Sequence, residues 1–237
     1  MIIIKNLTKL YRGTNKGISN LNLHIEKGDI YAFIGHNGAG KTTTLKALAG
    51  IHDFDSGEVL VDGLNIKEYP IEYKKEIAYV PDNPDIYEYL TANEYLNFVA
   101  DIYNVNLSDR CERVNEYAQK FKMLNNLDDL ISNYSHGMKQ KLILIAAMIH
   151  RPKVLILDEP FVGLDPQAIF ELKEIMRKIC EDGGAVLFST HVLEVAKKLC
   201  NKVAIIKNGH LIVDGEMEEV LKDVSLEELF MEAITNA

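Results

Sequence analysis

Gly35-His36-Asn37-Gly38-Ala39-Gly40-Lys41-Thr42, with Thr43 behind it, decides how this chain is built. A glycine, four residues and then Gly-Lys-Thr is the spacing of a phosphate-binding loop. The five apolar residues before it, Ile30-Tyr31-Ala32-Phe33-Ile34, read as a buried strand, and Thr42 to Ala49 read as a helix. The physics needs that order. Glycines let backbone N–H groups close around a polyphosphate, and the helix N-terminus adds unpaired donors and a partial positive charge. Lys41 then reaches the outer phosphates and the Thr42 hydroxyl ligates Mg²⁺. Gly35, Asn37, Gly38, Ala39, Gly40, Lys41, Thr42 and Thr43 are therefore the candidate residues around a nucleoside triphosphate.

A second element answers the loop. Val154-Leu155-Ile156-Leu157-Asp158 is an apolar run typical of a parallel strand buried on both faces, and Glu159 follows it. Such a strand places Asp158 beside the phosphate loop, where it holds Mg²⁺ or its waters. Glu159 is left to polarise an attacking water. Surface loops often carry an Asp-Glu pair, so this reading rests on one site explaining both elements.

Further β-type runs, Ile2 to Leu10, Leu21 to Ile25, Ser56 to Gly63 and Ile77 to Val80, are bounded by turn residues. From about Tyr87 to Tyr134 the pattern is helical. Thr91-Ala92-Asn93-Glu94 is a capping box, and Leu96, Val99, Ala100 and Tyr103 follow at the spacing of one helix face. Asp165 is placed to cap a helix that has Pro166 in its first turn. Ala185 to Phe188 reads as a buried strand, Val192 to Leu199 as a helix, and Val203 to Val213 as a hairpin turned on Asn208-Gly209. Ser225-Leu226-Glu227-Glu228 is a second capping box, opening a helix whose apolar residues are Leu226, Leu229, Phe230, Ala233 and Ile234.

At 237 residues the chain can bury a full α/β core. No stretch approaches the roughly 20 apolar residues of a membrane span, and the longest, Leu142 to Ile149, is far shorter. The start, Met1 to Lys5, lacks the layout of a signal peptide. Cys111, Cys180 and Cys200 are widely spaced and odd in number, which reads as reduced cytosolic thiols. A net charge of −9 argues against nucleic acid as the main partner. Seven acids and one base from Glu216 to Ala237 carry −6 of it, usually the pattern of a solvated helix face, with a charge-based docking role as the alternative.

Three further pieces carry a family resemblance. Tyr134-Ser135-His136-Gly137-Met138-Lys139-Gln140, opening a helix, resembles the signature motif of ATP-binding-cassette (ABC) ATPases. Gly163-Leu164-Asp165-Pro166 resembles their D-loop, and Ser189-Thr190-His191 their switch histidine. The resemblance spans essentially the whole chain and implies an α/β fold: a P-loop NTPase core with a mixed sheet, an N-terminal antiparallel β subdomain and an inserted α-helical lobe. One cassette over 1–237 is implied, with 1–83 and 135–237 as the RecA-like core and β subdomain, and 84–134 as the lobe. By the same resemblance Tyr11 stacks on adenine, although a partly buried core tyrosine at a strand end is the plainer alternative. His191 contacts the γ-phosphate, and Asp165 couples the two sites of a dimer. Ser135 and Gly137 bind the γ-phosphate of ATP held by the opposite subunit.

The chain departs from the family pattern at three positions. His136 stands where glycine is usual and Met138 where glutamine is usual, and His136 reads either as a pH-sensitive donor or as a tolerated surface residue. Asp82 stands where the loop entering the lobe usually carries glutamine; an aspartate there can still ligate Mg²⁺. These features, with Ser225 to Phe230, look most like the ATPases of bacterial ABC-2 type exporters. The implied activity is hydrolysis of MgATP by a dimer, homo- or heteromeric, coupled to integral membrane permease subunits, with the chain peripheral on the cytoplasmic face. A runner-up is a soluble ABC ATPase of cofactor assembly or nucleic-acid machinery that moves no solute.

Overall fold

Five consecutive apolar residues cannot face water on alternate sides, so Ile30–Ile34 must be covered on both faces. All five are buried in a computed structural model that describes residues 1–13, 16–222 and 224–235, with side chains through Glu232. In chain order the first elements are β1 (Ile2–Leu10), β2 (Gly17–Ile25), β3 (Ile30–Ile34), α1 (Lys41–Leu48), β4 (Ser56–Val61), β5 (Leu64–Asn65), α2 (Pro70–Glu76) and β6 (Ile77–Val80). Then come α3 (Ala92–Ile102), α4 (Leu107–Lys120) and α5 (His136–Met148). The chain continues through β7 (Val154–Asp158), α6 (Pro166–Glu181), β8 (Ala185–Thr190), α7 (Leu193–Leu199), β9 (Lys202–Lys207), β10 (His210–Glu216), α8 (Met217–Val220) and α9 (Leu226–Thr235).

Two compact units divide these elements. The first takes 1–79, 153–160 and 176–237. It holds an antiparallel sheet in the order β2-β1-β4-β5 and a six-stranded sheet in the order β10-β9-β3-β8-β7-β6. In the larger sheet β3 runs parallel to β8 and β9, β7 runs parallel to β8, and the β9–β10 hairpin is antiparallel, so the sheet is mixed. One apolar cluster joins Ile2, Ile4 and Leu21 of the small sheet to Leu45 and Leu48 of α1 and to Tyr31, Phe33 and Ile156 of the large sheet. Every residue of β7 and β8 is buried, as strands covered on both faces require.

The second unit takes 80–152 and 161–175 and is helical. The Thr91 hydroxyl accepts from the Glu94 N–H at 3.2 Å while Glu94 Oε2 accepts from the Thr91 N–H at 2.8 Å, which closes the capping box of α3. Asn106 caps α4 in the same way, accepting from the Asp109 N–H at 3.0 Å. Leu96 and Ala100 are buried on the inner face of α3, and Val114 and Ala118 on that of α4.

At the chain end Ser225 and Glu228 make the second capping box, and α9 buries Leu226 while Leu229 and Phe230 are half-buried. The side chains of Ala233 and Ile234 lie outside the described residues. No helix among the described residues is long and apolar enough to cross a membrane.

Candidate functional site

In the first unit, β3 runs into the phosphate loop and α1 leads out of it. Gly40 sits at the helix N-cap with φ +116°, a conformation that favours glycine, and no side chain caps the first turn of α1. The first turn also holds no acid. The Lys41 ammonium is almost fully buried, folded back on the loop. It donates to the Gly35 carbonyl at 2.7 Å and the His36 carbonyl at 3.4 Å, and it lies 3.5 Å from Glu159 Oε1. Tyr11 is exposed rather than part of the core, with its hydroxyl 3.3 Å from Thr43 Oγ1 at the start of α1.

The carboxylates arrive on β7. Asp158 is fully buried and Glu159 is partly exposed. Glu159 has a left-handed backbone, φ +46°, which is unfavourable for a side chain of this size. His191, just past β8, brings its Nδ1 to 2.9 Å from Glu159 Oε2. With Glu159 ionised, Nδ1–H is the donor of that bond. Lys41, Glu159 and His191 thus form one continuous polar line, and Asp158 precedes Glu159 at the end of the same strand.

The other predicted site residues belong to the second unit. Ser135 is the N-cap of α5 and accepts from the Met138 N–H at 3.3 Å. The following turn is tight against the loop at Gly163, for a Cβ added at Gly137 would lie 2.6 Å from the Gly163 carbonyl oxygen. His136 is exposed, and its ring covers Gly163. Asp165 caps α6 by accepting from the Ala168 N–H at 2.9 Å and is also ion-paired with Lys141 of α5. Asp82 is exposed and accepts from the Asn83 N–H at 2.9 Å.

The sequence model of the family described as "ABC transporter" matches residues 18–162. The chain belongs to that family. An ABC-type transporter ATP-binding protein, EcsA of Bacillus subtilis (strain 168), is 34% identical over 98% of this chain and 96% of the relative. The bacitracin transport ATP-binding protein BcrA of Bacillus licheniformis is 34% identical over 92% of this chain and 70% of the relative. A solved structure described as the ATP binding subunit of an ABC transporter superposes with a TM-score of 0.93 at 32% identity, covering 99% of this chain and 100% of that one. This ABC protein is accordingly an ATP-binding ATPase of α/β fold.

The donor set of the ABC chain suits a magnesium nucleotide. Among the described residues no three carboxylate, histidine or cysteine groups cluster tightly enough to hold a metal by themselves. Mg²⁺ does not need such a cluster, since it keeps waters and shares substrate phosphates with one or two protein oxygens. The Thr42 hydroxyl and the Asp158 carboxylate are hard oxygen donors of that type.

Two contributors stand in motifs the sequence shows, but the contacts they make do not show there. One is Ser189, whose hydroxyl accepts from the Glu159 N–H at 3.0 Å and donates to Asp158 Oδ1 at 2.5 Å. The other is the hairpin turn at Asn208-Gly209. The Gly209 N–H donates to the Ala39 carbonyl of the phosphate loop at 2.8 Å, and the Gly209 carbonyl accepts from the Ser19 N–H at 3.0 Å. Gly209 has φ +78°, and a Cβ there would lie 2.3 Å from the Gly17 carbonyl oxygen. Asn-Gly announces the turn but not what the turn touches. A left-handed alanine costs about 1–2 kcal/mol before any clash. At about 2–4 °C per kcal/mol for a chain of this size, Gly209→Ala is expected to lower the melting temperature by several degrees, read by thermal unfolding.

The Asp165 carboxyl is held below the ordinary carboxylate range, first by the hydrogen bond from Lys141 and then by the Ala168 N–H. An acid whose pKa falls on folding adds stability above its unfolded pKa of about 3.9, and that stability fades as the pH drops through the folded value. Lys141→Met is expected to move the Asp165 titration back up toward about 3.9, measured by NMR.

Proposed function

We propose that this ABC ATPase hydrolyses MgATP as a dimer and drives conformational change in separate integral membrane subunits, working in export from the cytoplasmic face. The observation that carries the hydrolytic part is the line Lys41–Glu159–His191, at 3.5 Å and 2.9 Å, directly after the buried Asp158. In this reading Tyr11 faces adenine, and the loop from Gly35 to Thr43 cradles the phosphates through its backbone and Lys41. Thr42 and Asp158 would hold Mg²⁺, which when bound offsets charge on the phosphates. Glu159 takes a proton from the attacking water, and His191 orients Glu159 through Nδ1.

A single copy supplies only part of the donor set on this view. Ser135 and Gly137, at the N-terminus of α5, suit an anion brought by a second subunit, and Asp165 is tied to the same helix by Lys141. ATP is then shared across a two-fold interface, and its conversion to ADP and phosphate weakens the closed state. One cassette is formed, with 1–83 and 135–237 as core and 84–134 as lobe.

Tyr87, Tyr89 and Phe98 support a docking face for the membrane subunits near Asp82 to Thr91. They are exposed and cluster together, with ring centroids 5.9 and 5.8 Å apart. The BcrA relative, a bacitracin transport ATP-binding protein by name, supports a role in transport. Purification from membranes with mass-spectrometric identification of companions tests this reading. A polytopic companion is expected; an ATPase recovered alone from the soluble fraction would favour a machine that moves no solute.

A further inference from the structure

Ser189 is fully buried near the end of β8, a strand otherwise filled by apolar side chains until Thr190. A buried hydroxyl with nothing to bond would cost about 1–3 kcal/mol in such a place. Its bonds are both to the neighbouring strand. The parallel register sets Ser189 opposite Asp158, so the single O–H goes to the Asp158 carboxylate while a lone pair receives the Glu159 N–H. Asp158 is fully buried, and its ionised form is stable there only with donors in place. The left-handed backbone at Glu159 is a conformation that persists only where its surroundings over-determine it.

Two residues further on, the same strand end delivers His191 to the Glu159 carboxylate. Glu159 is thus gripped at its backbone by Ser189 and at its side chain by His191.

We propose that Ser189 is a positioning residue for hydrolysis, fixing the Asp158 carboxylate and the unfavourable Glu159 backbone in one hydrogen-bonded unit. The proposal rests on the reading of Asp158 as a metal ligand and Glu159 as the base. Without the hydroxyl, Asp158 turns to find another donor, and Glu159 relaxes toward ordinary backbone angles and away from His191. The phosphate loop meets this chain of contacts only at Lys41, 3.5 Å from Glu159 Oε1, and the Glu159 charge is kept, so binding of free nucleotide is expected to change little.

The experiment compares wild type, Ser189→Ala, Ser189→Thr and Glu159→Gln for turnover and for binding of a fluorescent ATP analogue with Mg²⁺ and with EDTA. Ser189→Ala is expected to lower kcat about 10- to 100-fold. Its affinity in EDTA should stay within about twofold of wild type, and the extra affinity conferred by Mg²⁺ should shrink severalfold. Ser189→Thr, which keeps the hydroxyl, should recover most of both. Should the alanine variant not fold, Ser189→Cys, with its weak donor, carries the same comparison.

Turnover within twofold of wild type in Ser189→Ala would overturn the proposal. So would a loss confined to KM and melting temperature, which is what a merely structural serine gives. The Glu159→Gln arm separates the two layers. If that variant keeps wild-type turnover, the reading of Glu159 fails; if it loses turnover while Ser189→Ala keeps it, only the role of Ser189 fails.

Discussion

Glu159→Gln is expected to bind ATP at least as well as the wild-type chain and to lose about 10²- to 10⁴-fold in turnover, the usual contribution of a positioned general base. The substitution is close to isosteric, and the glutamine carbonyl can still accept from His191 Nδ1, so the 2.9 Å contact survives. What disappears is the negative charge. Lys41, now 3.5 Å from Glu159 Oε1, is released from a competitor for its ammonium, and the phosphates no longer face a nearby carboxylate. Binding should hold or tighten while proton abstraction stops. With ATP present, size-exclusion chromatography with light scattering should show the variant accumulating as a dimer. Phosphate release at the wild-type rate would remove Glu159 as the base.

Lys41→Ala should fail at the earlier step. Hydrogen bonds to charged groups contribute about 1.5–3 kcal/mol each, so deleting the ammonium should weaken ATP binding by about 10- to 100-fold at 1.4 kcal/mol per decade. The same change strips the Gly35 and His36 carbonyls of their donor and leaves Glu159 without its cation. The cradle itself therefore loses definition, and turnover should fall further than affinity. Titration with a fluorescent ATP analogue reads the first effect, and phosphate release at saturating nucleotide reads the second. Unaltered affinity would place the polyphosphate somewhere other than this loop.

Much of the architecture is legible because its determinants are local. The runs at Ile30, Ile77 and Val154 become β3, β6 and β7 at the expected bounds, and the boxes at Thr91 and Ser225 and the cap at Asp165 form the bonds their residue types allow. Strand β2 begins at Gly17 rather than Leu21, because pairing with β1 extends it through Gly17 and Asn20, residues of weak β propensity. The small elements β5 and α2 carry no periodic signal; α2 buries only Tyr73, whose hydroxyl bonds the Leu48 carbonyl at 2.6 Å.

The same split holds at the candidate site. Lys41, Asp158, Glu159 and His191 stand in stretches whose residue order announces them. Ser189 shares the stretch of His191, but its role does not show there, because its partners are set by the pairing of β7 with β8 across some 30 residues of sequence. The bond from Gly209 to Ala39 spans a still longer separation and depends on how a hairpin end meets the loop.

The order of strands around β3 has a consequence for synthesis. Both neighbours of β3, namely β8 and β9, lie beyond residue 184, and the turn that bonds Ala39 comes at Asn208-Gly209. A nascent chain emerging from the ribosome exposes residues 35 to 43 early, yet the two strands that flank β3 and the turn that bonds Ala39 follow only much later in translation. Nascent polypeptides arrested before codon 210 should therefore be unable to retain ATP, while chains extended well past the Asn208-Gly209 turn acquire that capacity.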